Sequence, residues 1–200
     1  NPVRDVRAVH WQLGPALMAR CMQHTKESVM HFAERRRMPW MQNYSHNTSA
    51  GTLVGVKCEA AVGESLRWVL PASYRIAECF WDYKDTKGHA DIEVFTPAGA
   101  IHNIEVKGLQ NLHWPKFARC ATPSNLRVYE SRGAIVAWAT CNKDDECDDV
   151  CLRGWNWAHE LRSMGVPIRT ICENIQLPPD APMHGMEELF HVLRDKWDGE

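Results

Sequence analysis

The residues best suited to chemistry lie in the stretch Ile104-Glu105-Val106-Lys107. Side chains alternate between the two faces of a β-strand, so Glu105 and Lys107 share one face and the two apolar residues share the other. A carboxylate can hold a hard divalent cation, and a neighbouring ammonium can orient a water or balance charge on a phosphate. Such a triplet alone is more typical of a solvated strand face with an ion pair.

A second carboxylate, Asp91, begins the preceding strand-like run at 91–95. The turn sequence Thr96-Pro97-Ala98-Gly99 separates this run from a strand over 101–107 and predicts a hairpin. Antiparallel pairing would bring Asp91 beside Glu105, so that their oxygens converge on one point. Glu93 shares the face of Asp91 and is a candidate for the same metal shell or for an exposed position.

A third carboxylate, Glu59, lies in a predicted helix over 56–70, in the middle of its apolar stripe. A carboxylate that faces the core is costly unless it is paired, either with a bound cation or with a buried arginine. Glu64 lies about 140° from Glu59 at 100° per residue, so the pattern predicts that it faces solvent.

The elements that must position these residues follow from periodicity and turn signals. Predicted helices cover 15–37, 56–70, 125–131, 151–164 and 186–197, and the polar stretch 40–52 is predicted as a loop. Predicted strands cover 74–83, 91–95, 101–107, 134–140 and 167–175. The order indicates an α/β fold with a mixed central β-sheet flanked by helices.

Taken together, these residues resemble the PD-(D/E)xK nuclease superfamily, and the core is similar to archaeal Holliday junction resolvases. Gly55-Val56-Lys57-Cys58-Glu59 resembles a G-x-x-x-E helix, His89-Ala90-Asp91 stands in place of the Pro-Asp motif, and Glu105-Val106-Lys107 matches the E-x-K strand. Ala90 departs from the usual proline. The resemblance covers roughly 55–140 and implies a restriction-endonuclease-like core.

The same resemblance implies roles for individual residues. Asp91, Glu105, the carbonyl of Val106 and Glu59 would bind Mg²⁺ or Mn²⁺, and Lys107 would help to activate the attacking water. The implied activity is hydrolysis of phosphodiester bonds. The motif does not fix the substrate; we expect DNA rather than RNA, and an endonuclease rather than an exonuclease because nothing in the sequence suggests a helicase partner or a toroidal assembly. Alternatives are an RNA endonuclease, or a catalytically inactive nucleic-acid-binding or interaction module of the same fold with a structural zinc site.

The domain organisation expected is an N-terminal helical extension and loop over 1–54 and a nuclease domain over 55–200 with C-terminal strand and helix additions. With 44% apolar residues and a net charge of -2, the chain suits a single compact unit. No stretch is long and apolar enough to cross a membrane or, in the first thirty residues, to act as a signal peptide. A homodimer is left open.

The eight cysteines are scattered, and we interpret most as reduced core thiols, which favours an intracellular location. Cys141, Cys147 and Cys151 nevertheless cluster in an acidic segment and, with His159 or Cys172, offer a candidate structural zinc site. Their spacing differs from a C-x2-C knuckle, so reduced thiols on a loop remain the competing interpretation.

Since the chain as a whole is not basic, nucleic-acid binding must come from local patches. Trp114 is a candidate for stacking on an unpaired base, and His89 and His113 for proton transfer. The candidate patches are Arg35 to Arg37, the Lys84/Lys87 turn, and the group Lys116, Arg119, Arg127 and Arg132.

Overall fold

The computed structural model describes residues 8–35, 47–84, 89–114, 118–144, 146–168 and 174–195. The end of the helix predicted over 15–37, the first part of the loop predicted over 40–52, and the end of the helix predicted over 186–197 lie outside these ranges. Five of the candidate residues for basic patches or a zinc site also lie outside these ranges, namely Arg36, Arg37, Lys87, Lys116 and Cys172.

A six-stranded mixed sheet forms the centre of the molecule, in the spatial order β1-β7-β6-β4-β3-β2. Its β4 and β6 strands run parallel, and every other neighbouring pair is antiparallel. A smaller antiparallel sheet has the order β5-β9-β8. The strands are β1 (Val9–Gln12), β2 (Arg75–Glu78), β3 (Ile92–Phe95), β4 (Ile101–Gln110), β5 (Ala118–Ala121), β6 (Ile135–Cys141), β7 (Asp149–Trp157), β8 (Val166–Ile168) and β9 (Asn174–Leu177).

Helices cover both faces of the central sheet. The helices are α1 (Pro15–Arg35), α2 (Asn47–Val69), α3 (Pro123–Ser131), α4 (Ala158–Met164) and α5 (Met186–Asp195). Side chains of α1, α2 and α5 share one apolar cluster with the sheet, while α3, α4 and the small sheet share a second. The predicted α/β class, with a mixed sheet flanked by helices, is therefore confirmed.

The N-terminal segment belongs to the same core as the rest of the chain. Leu13 and Cys21 are buried in the cluster that contains Ile104 of β4, and β1 pairs along its length with β7. The expected boundary near residue 55 falls inside α2. No helix among the described residues is both long and apolar enough to span a membrane.

Helix α2 begins earlier than predicted, at Asn47, so the loop prediction is wrong from that residue onward. Two glycines bring this helix close to β4. A Cβ atom on Gly108 would lie 3.0 Å from the Cα of Gly55 and 3.1 Å from the Cβ of Cys58. The absence of side chains at both glycines thus lets α2 lie directly on β4, one helical turn from Glu59.

The helix predicted over 151–164 is wrong in its first half, where the structure has β7. Both faces of β7 are covered, so its apolar residues form a nearly continuous run that periodicity cannot distinguish from a buried helix. Pairing with β6 and β1 stabilises this segment as a strand rather than as a helix. Gly154, with φ of 148°, marks an irregularity where the pairing of β6 with β7 shifts register.

Other differences from the predicted elements are local. The run over 74–83 forms β2 followed by a 3-10 turn at Cys79–Trp81, and the run over 167–175 contributes to two strands, β8 and β9. Strands β1 and β5 were not predicted; both have four residues. Segments this short carry little periodic signal, and their pairing partners are distant in sequence.

Candidate functional site

The predicted hairpin is present, and the site lies where its two strands separate. The ladder between β3 and β4 runs from Phe95 opposite Ile101 to Ile92 opposite Ile104. Beyond it, the backbone amide of Val106 donates a 2.8 Å hydrogen bond to the carboxylate of Asp91. The Asp91 side chain thus accepts the hydrogen bond that the backbone of a longer β3 would have accepted from Val106. Since the N–H and C=O of a strand residue point the same way, the Val106 carbonyl also faces this gap.

Glu105 and Lys107 share one face of β4, as strand alternation predicts, and Tyr129 of α3 contacts Lys107 on that face. The Lys107 ammonium lies 3.9 Å from the Glu105 carboxylate and donates a 3.1 Å hydrogen bond to the Tyr129 hydroxyl. Only 8% of the Glu105 side chain and 20% of the Lys107 side chain are exposed. The charge of Glu105 also interacts with Tyr129. Because an ammonium can only donate, the Tyr129 hydroxyl accepts from Lys107.

Tyr129 was not identified from the sequence, although the helix that carries it was predicted. Thr122 caps α3 by accepting a hydrogen bond from the amide of Asn125, and Glu130 forms a 2.5 Å ion pair with Arg162 of α4. These contacts anchor the helix. A tyrosine 22 residues after Lys107 has no local pattern to connect it with that lysine, so only the tertiary fold reveals the pairing.

Glu59 approaches the same group from α2, on the opposite face of the sheet. Its charge interacts with those of Asp91, Lys107 and Glu105. Among the described residues, however, Glu59 does not join Asp91 and Glu105 in a set of three ligand atoms that lie within 4.8 Å of one another. Glu59 thus lies near the pair as a third carboxyl group but outside its immediate set of ligand atoms.

Glu64 differs from the expectation that it lies in water. Its carboxylate is partly buried and accepts a 2.7 Å hydrogen bond from the indole nitrogen of Trp11 in β1. The helical wheel places Glu64 away from the site, but it does not reveal that a distant strand covers that flank of α2. Glu64 therefore connects α2 to β1.

The three carboxyl groups are electrostatically crowded. Burial and, after it, the charge of Asp91 raise the pKa of Glu105 to about 7. Burial also raises the pKa of Asp91, although Lys107 and the Val106 amide oppose the change. Burial and the charge of Asp91 hold the pKa of Glu59 well above its usual range. A bound cation would relieve this repulsion.

Lys107 responds in the opposite sense to its surroundings. Burial alone would lower the pKa of this lysine, but the neighbouring Tyr129, Asp91 and Glu105 outweigh burial and raise it. Lys107 is therefore held as an ammonium throughout the physiological range, and it is suited to balance negative charge rather than to accept a proton.

A separate group of metal-ligating side chains lies beside Asp91. The ligand atoms of Cys79, His89 and Glu93 all lie within 4.8 Å of one another, so this group could hold a metal ion. Of the residues considered from the sequence, His89 and Glu93 belong to this group, whereas Cys79 was not singled out. Cys79 lies in the 3-10 turn that the prediction had assigned to a strand.

The candidate zinc site at Cys141, Cys147 and Cys151 is not formed, because among the described residues these three cysteines do not belong to any group close enough to hold a metal ion. The Cys141 thiol donates a 3.8 Å hydrogen bond to the carbonyl oxygen of Val54 in α2, while the fully buried Lys57 donates to the carbonyl oxygens of Asp144 and Cys147 at 2.6 and 2.9 Å. An ammonium thus organises the loop of the candidate zinc site. All seven described cysteines are thiols, as predicted.

Trp114 does not fit the predicted stacking role, because it is only 9% exposed and packs 6.4 Å from Trp138, measured between ring centroids. His113 and Arg119 instead line an open cavity of about 450 Å³ that also contacts Gly108, the residue after Lys107. The cavity lies between α2 and the end of β4, with Gly51 and Val54 also in its lining.

No protein-family model, curated protein or solved structure matches this chain. The resemblance to the PD-(D/E)xK superfamily therefore stays a prediction from the motif residues.

The raised pKa of Glu105 predicts how the stability of the metal-free protein depends on pH. The folded state binds this proton more tightly than the unfolded state, so the associated stability is complete below about pH 4.5 and is lost as pH rises to about 7. The pKa shift of Glu105 corresponds to a change of about 3 kcal/mol in the free energy of unfolding. We expect Glu105→Gln to be more stable than the parent at pH 8 and to lose that advantage near pH 4.5.

Urea unfolding of both proteins across this pH range, without divalent metal, measures the difference. Glu27→Gln, a substitution on an exposed part of α1, should follow the parent at every pH. Parallel curves for Glu105→Gln and the parent would contradict the proposed crowding.

Proposed function

We propose that this protein is a Mg²⁺- or Mn²⁺-dependent nuclease that hydrolyses phosphodiester bonds within nucleic acid, with DNA as the preferred substrate. The observation that carries the proposal is the convergence of Asp91, Glu105 and Lys107 at the point where β3 and β4 separate. It supports a reaction at phosphate because two crowded carboxylates favour a hard cation and the adjacent ammonium favours a developing anion.

The donor set fits a hard divalent cation. Asp91 and Glu105 would supply carboxylate oxygens, and the Val106 carbonyl faces the same gap. When bound, the ion supplies Lewis acidity toward the phosphate and makes a coordinated water more acidic. Substrate phosphate and water can complete the octahedral shell that Mg²⁺ prefers.

The protein's own side chains supply position and charge. The amide of Val106 fixes one oxygen of Asp91. The hydrogen bond from Lys107 to Tyr129 holds the ammonium 3.9 Å from the Glu105 carboxylate, so it lies at the side of the carboxylate pair rather than in bulk water. Lys107 is thereby placed to neutralise charge on the pentacovalent phosphate and to orient the attacking water.

The surroundings offer a path for a polyanion. Arg127 is exposed on α3, Arg119 is exposed on β5, and Arg132 contributes positive potential at Glu105. Arg127 and Arg132 belong to α3 and its C-terminal cap, the helix whose Tyr129 contacts Lys107. With the cavity beside Gly108, they support binding of a nucleic-acid backbone next to the carboxylate pair.

A panel of end-labelled and internally labelled substrates tests the proposal. We expect cleavage of DNA that requires Mg²⁺ or Mn²⁺ and is abolished by chelation. Single-stranded, duplex and branched DNA, with matching RNA, separate the DNA nuclease from an RNA endonuclease. Binding without cleavage under all metal conditions would overturn the proposal and favour a non-catalytic nucleic-acid-binding module.

The contrast between Glu59 and Glu64 provides a test of how α2 contributes. Glu59→Gln replaces an ionisable carboxyl group that interacts with Asp91 and Glu105 by a neutral amide. Because a bound cation would favour the ionised form of Glu59, we expect the substitution to raise the metal concentration required for half-maximal cleavage several-fold. Glu64→Gln should leave that concentration unchanged, since Glu64 hydrogen-bonds Trp11 on the other side of the helix. Its expected cost is in stability, on the order of 1 kcal/mol for an altered hydrogen bond.

Metal titrations of cleavage by the two variants, paired with urea unfolding, measure both effects. A higher metal requirement in Glu64→Gln and an unchanged one in Glu59→Gln would contradict the assignment of Glu59 to the site.

A further inference from the structure

The group formed by Cys79, His89 and Glu93 lies outside the proposed catalytic set but next to it. Besides the common 4.8 Å limit on all three ligand atoms, His89 Nδ1 lies 3.0 Å from a carboxylate oxygen of Glu93. The group of Cys79, His89 and Glu93 offers one sulfur, one nitrogen and one oxygen as donor atoms. Such a set differs in kind from the oxygen donors of Asp91 and Glu105.

Backbone pairing prearranges this group. In the β2–β3 ladder, Ala77 lies opposite Glu93 and Glu78 lies opposite Ile92. Cys79 follows two residues after Ala77, and the amide of Phe80 donates a 3.1 Å hydrogen bond to the carbonyl of Asp91. The turn that carries Cys79 is thus tied to the segment that carries the other two donors.

The donor types select the metal. Mg²⁺ is coordinated by hard oxygen ligands and is not suited to a thiolate, whereas Zn²⁺ readily combines thiolate, imidazole and carboxylate. Three protein ligands leave one position of a tetrahedral zinc shell for water or substrate. We propose that Cys79, His89 and Glu93 form a Zn²⁺ site with an open fourth position, separate from the carboxylate pair of the proposed nuclease.

Accessibility agrees with a site that a metal can enter from solution. The side chain of His89 is 52% exposed and that of Glu93 is 15% exposed, while Cys79 is partly buried. Without metal, the same geometry is an ion pair between His89 and Glu93 beside a thiol. The two descriptions differ in one measurable respect: only zinc binding requires the sulfur to be a ligand and to lose its proton.

The location gives the site a consequence for Asp91. His89 precedes Asp91 by two residues, and Glu93 follows it by two. Zinc bound to both, and to the facing turn, would clamp the backbone on either side of this carboxylate. This positioning role rests on the proposed function, whereas zinc binding itself does not.

Cobalt substitution tests the coordination directly. Co²⁺ added to the metal-free protein should produce, at one equivalent, a near-ultraviolet thiolate-to-metal charge-transfer band and the visible bands of a four-coordinate ion. Zn²⁺ should displace it. Cys79→Ser should lose the thiolate band, and Cys147→Ser, at the partly buried loop cysteine, should retain it. Absence of the band in the parent protein, or its persistence in Cys79→Ser, would overturn the proposal.

A second variant tests the zinc site in case Cys79→Ser does not fold. His89 is exposed, so His89→Ala should preserve the circular dichroism spectrum and weaken Co²⁺ binding at least about tenfold, since one of three protein ligands is removed. Unchanged Co²⁺ affinity in a folded His89→Ala protein would also overturn the site.

Lys107→Ala separates this proposal from the nuclease. It should retain the thiolate band at one equivalent, because Lys107 is not among the zinc donors. If the parent protein shows the thiolate band but cleaves no nucleic acid, the proposed function alone is contradicted. A protein that cleaves with Mg²⁺ but never shows the band would contradict the zinc site alone.

Discussion

Glu105→Gln and Asp91→Asn should each reduce metal-dependent cleavage at least about a hundredfold while the protein stays folded. Each substitution replaces a charged oxygen donor by a neutral amide of similar volume. The charge stabilisation supplied by a catalytic metal is worth several kcal/mol, and each 1.36 kcal/mol corresponds to a tenfold change in rate. The pair is crowded without metal, so loss of one charge should not unfold the protein.

The two variants are expected to differ in one further respect. Asp91 accepts the hydrogen bond from the amide of Val106, and an asparagine can retain that bond through its carbonyl oxygen. Asp91→Ala should lose it, and with it some order where β3 and β4 separate. We therefore expect Asp91→Ala to be less stable than Asp91→Asn, with both equally inactive.

Single-turnover cleavage rates at saturating metal, with circular dichroism and urea unfolding as controls for folding, measure these effects. Glu27→Gln on α1 serves as the matched carboxylate control and should retain full activity. Parent-like rates in folded Glu105→Gln or Asp91→Asn would remove the carboxylate pair from the proposed mechanism.

Lys107→Met should reduce turnover about a hundredfold to a thousandfold, while the metal concentration required changes little. Methionine keeps the apolar stem and removes the ammonium. Removal of one preorganised donor at a developing anion has costs of this size. The effect should fall on the chemical step, because Lys107 lies beside the carboxylates as a cation and supplies no electron pair to a metal.

Lys107→Arg is the informative companion variant. It restores the charge, but the planar guanidinium cannot reproduce a compact ammonium bonded to Tyr129 at 3.1 Å. We expect only partial recovery. Lys26→Met, an exposed position on α1, controls for a general loss of positive charge.

Isothermal titration with Mg²⁺ and single-turnover rates at saturating metal separate the two contributions. Loss of metal binding with normal turnover at saturating metal would show that Lys107 acts on the metal site rather than on the reaction.

A shared feature links both predictions, namely the hydroxyl of Tyr129. It accepts a hydrogen bond from Lys107, whose ammonium lies 3.9 Å from Glu105, and so couples the position of the ammonium to that of the carboxylate. Tyr129→Phe would remove this coupling without removing either charge. Its effect should therefore be smaller than that of either substitution at the charged residues.

Local sequence was sufficient to predict the chemical pattern and several of the elements. Strand alternation put Glu105 and Lys107 on one face, the turn after Phe95 predicted the hairpin, and both are present in the structure. The short apolar run over 134–140 was predicted as a buried strand, and β6 is buried at every position. Such features depend on residues a few positions apart, so their signal is contained in the sequence.

Tertiary structure alone decided the features that depend on distant segments. The pairing of β7 with β6 and β1 overrode an apparent helix. Lys57 of α2 donates to two carbonyl oxygens of the loop for which zinc was the alternative to reduced thiols. Tyr129 of α3 accepts a hydrogen bond from Lys107, although no sequence pattern connects this helix with β4.

The assembly of Cys79 with His89 and Glu93 shows the same limit. These residues are brought together by the β2–β3 register and by the hydrogen bond between Phe80 and Asp91. Periodicity predicts which face of an element a residue occupies, but the choice of neighbour for that face is made by packing over the whole chain. The sequence therefore determined the donors, and the fold determined which of them meet.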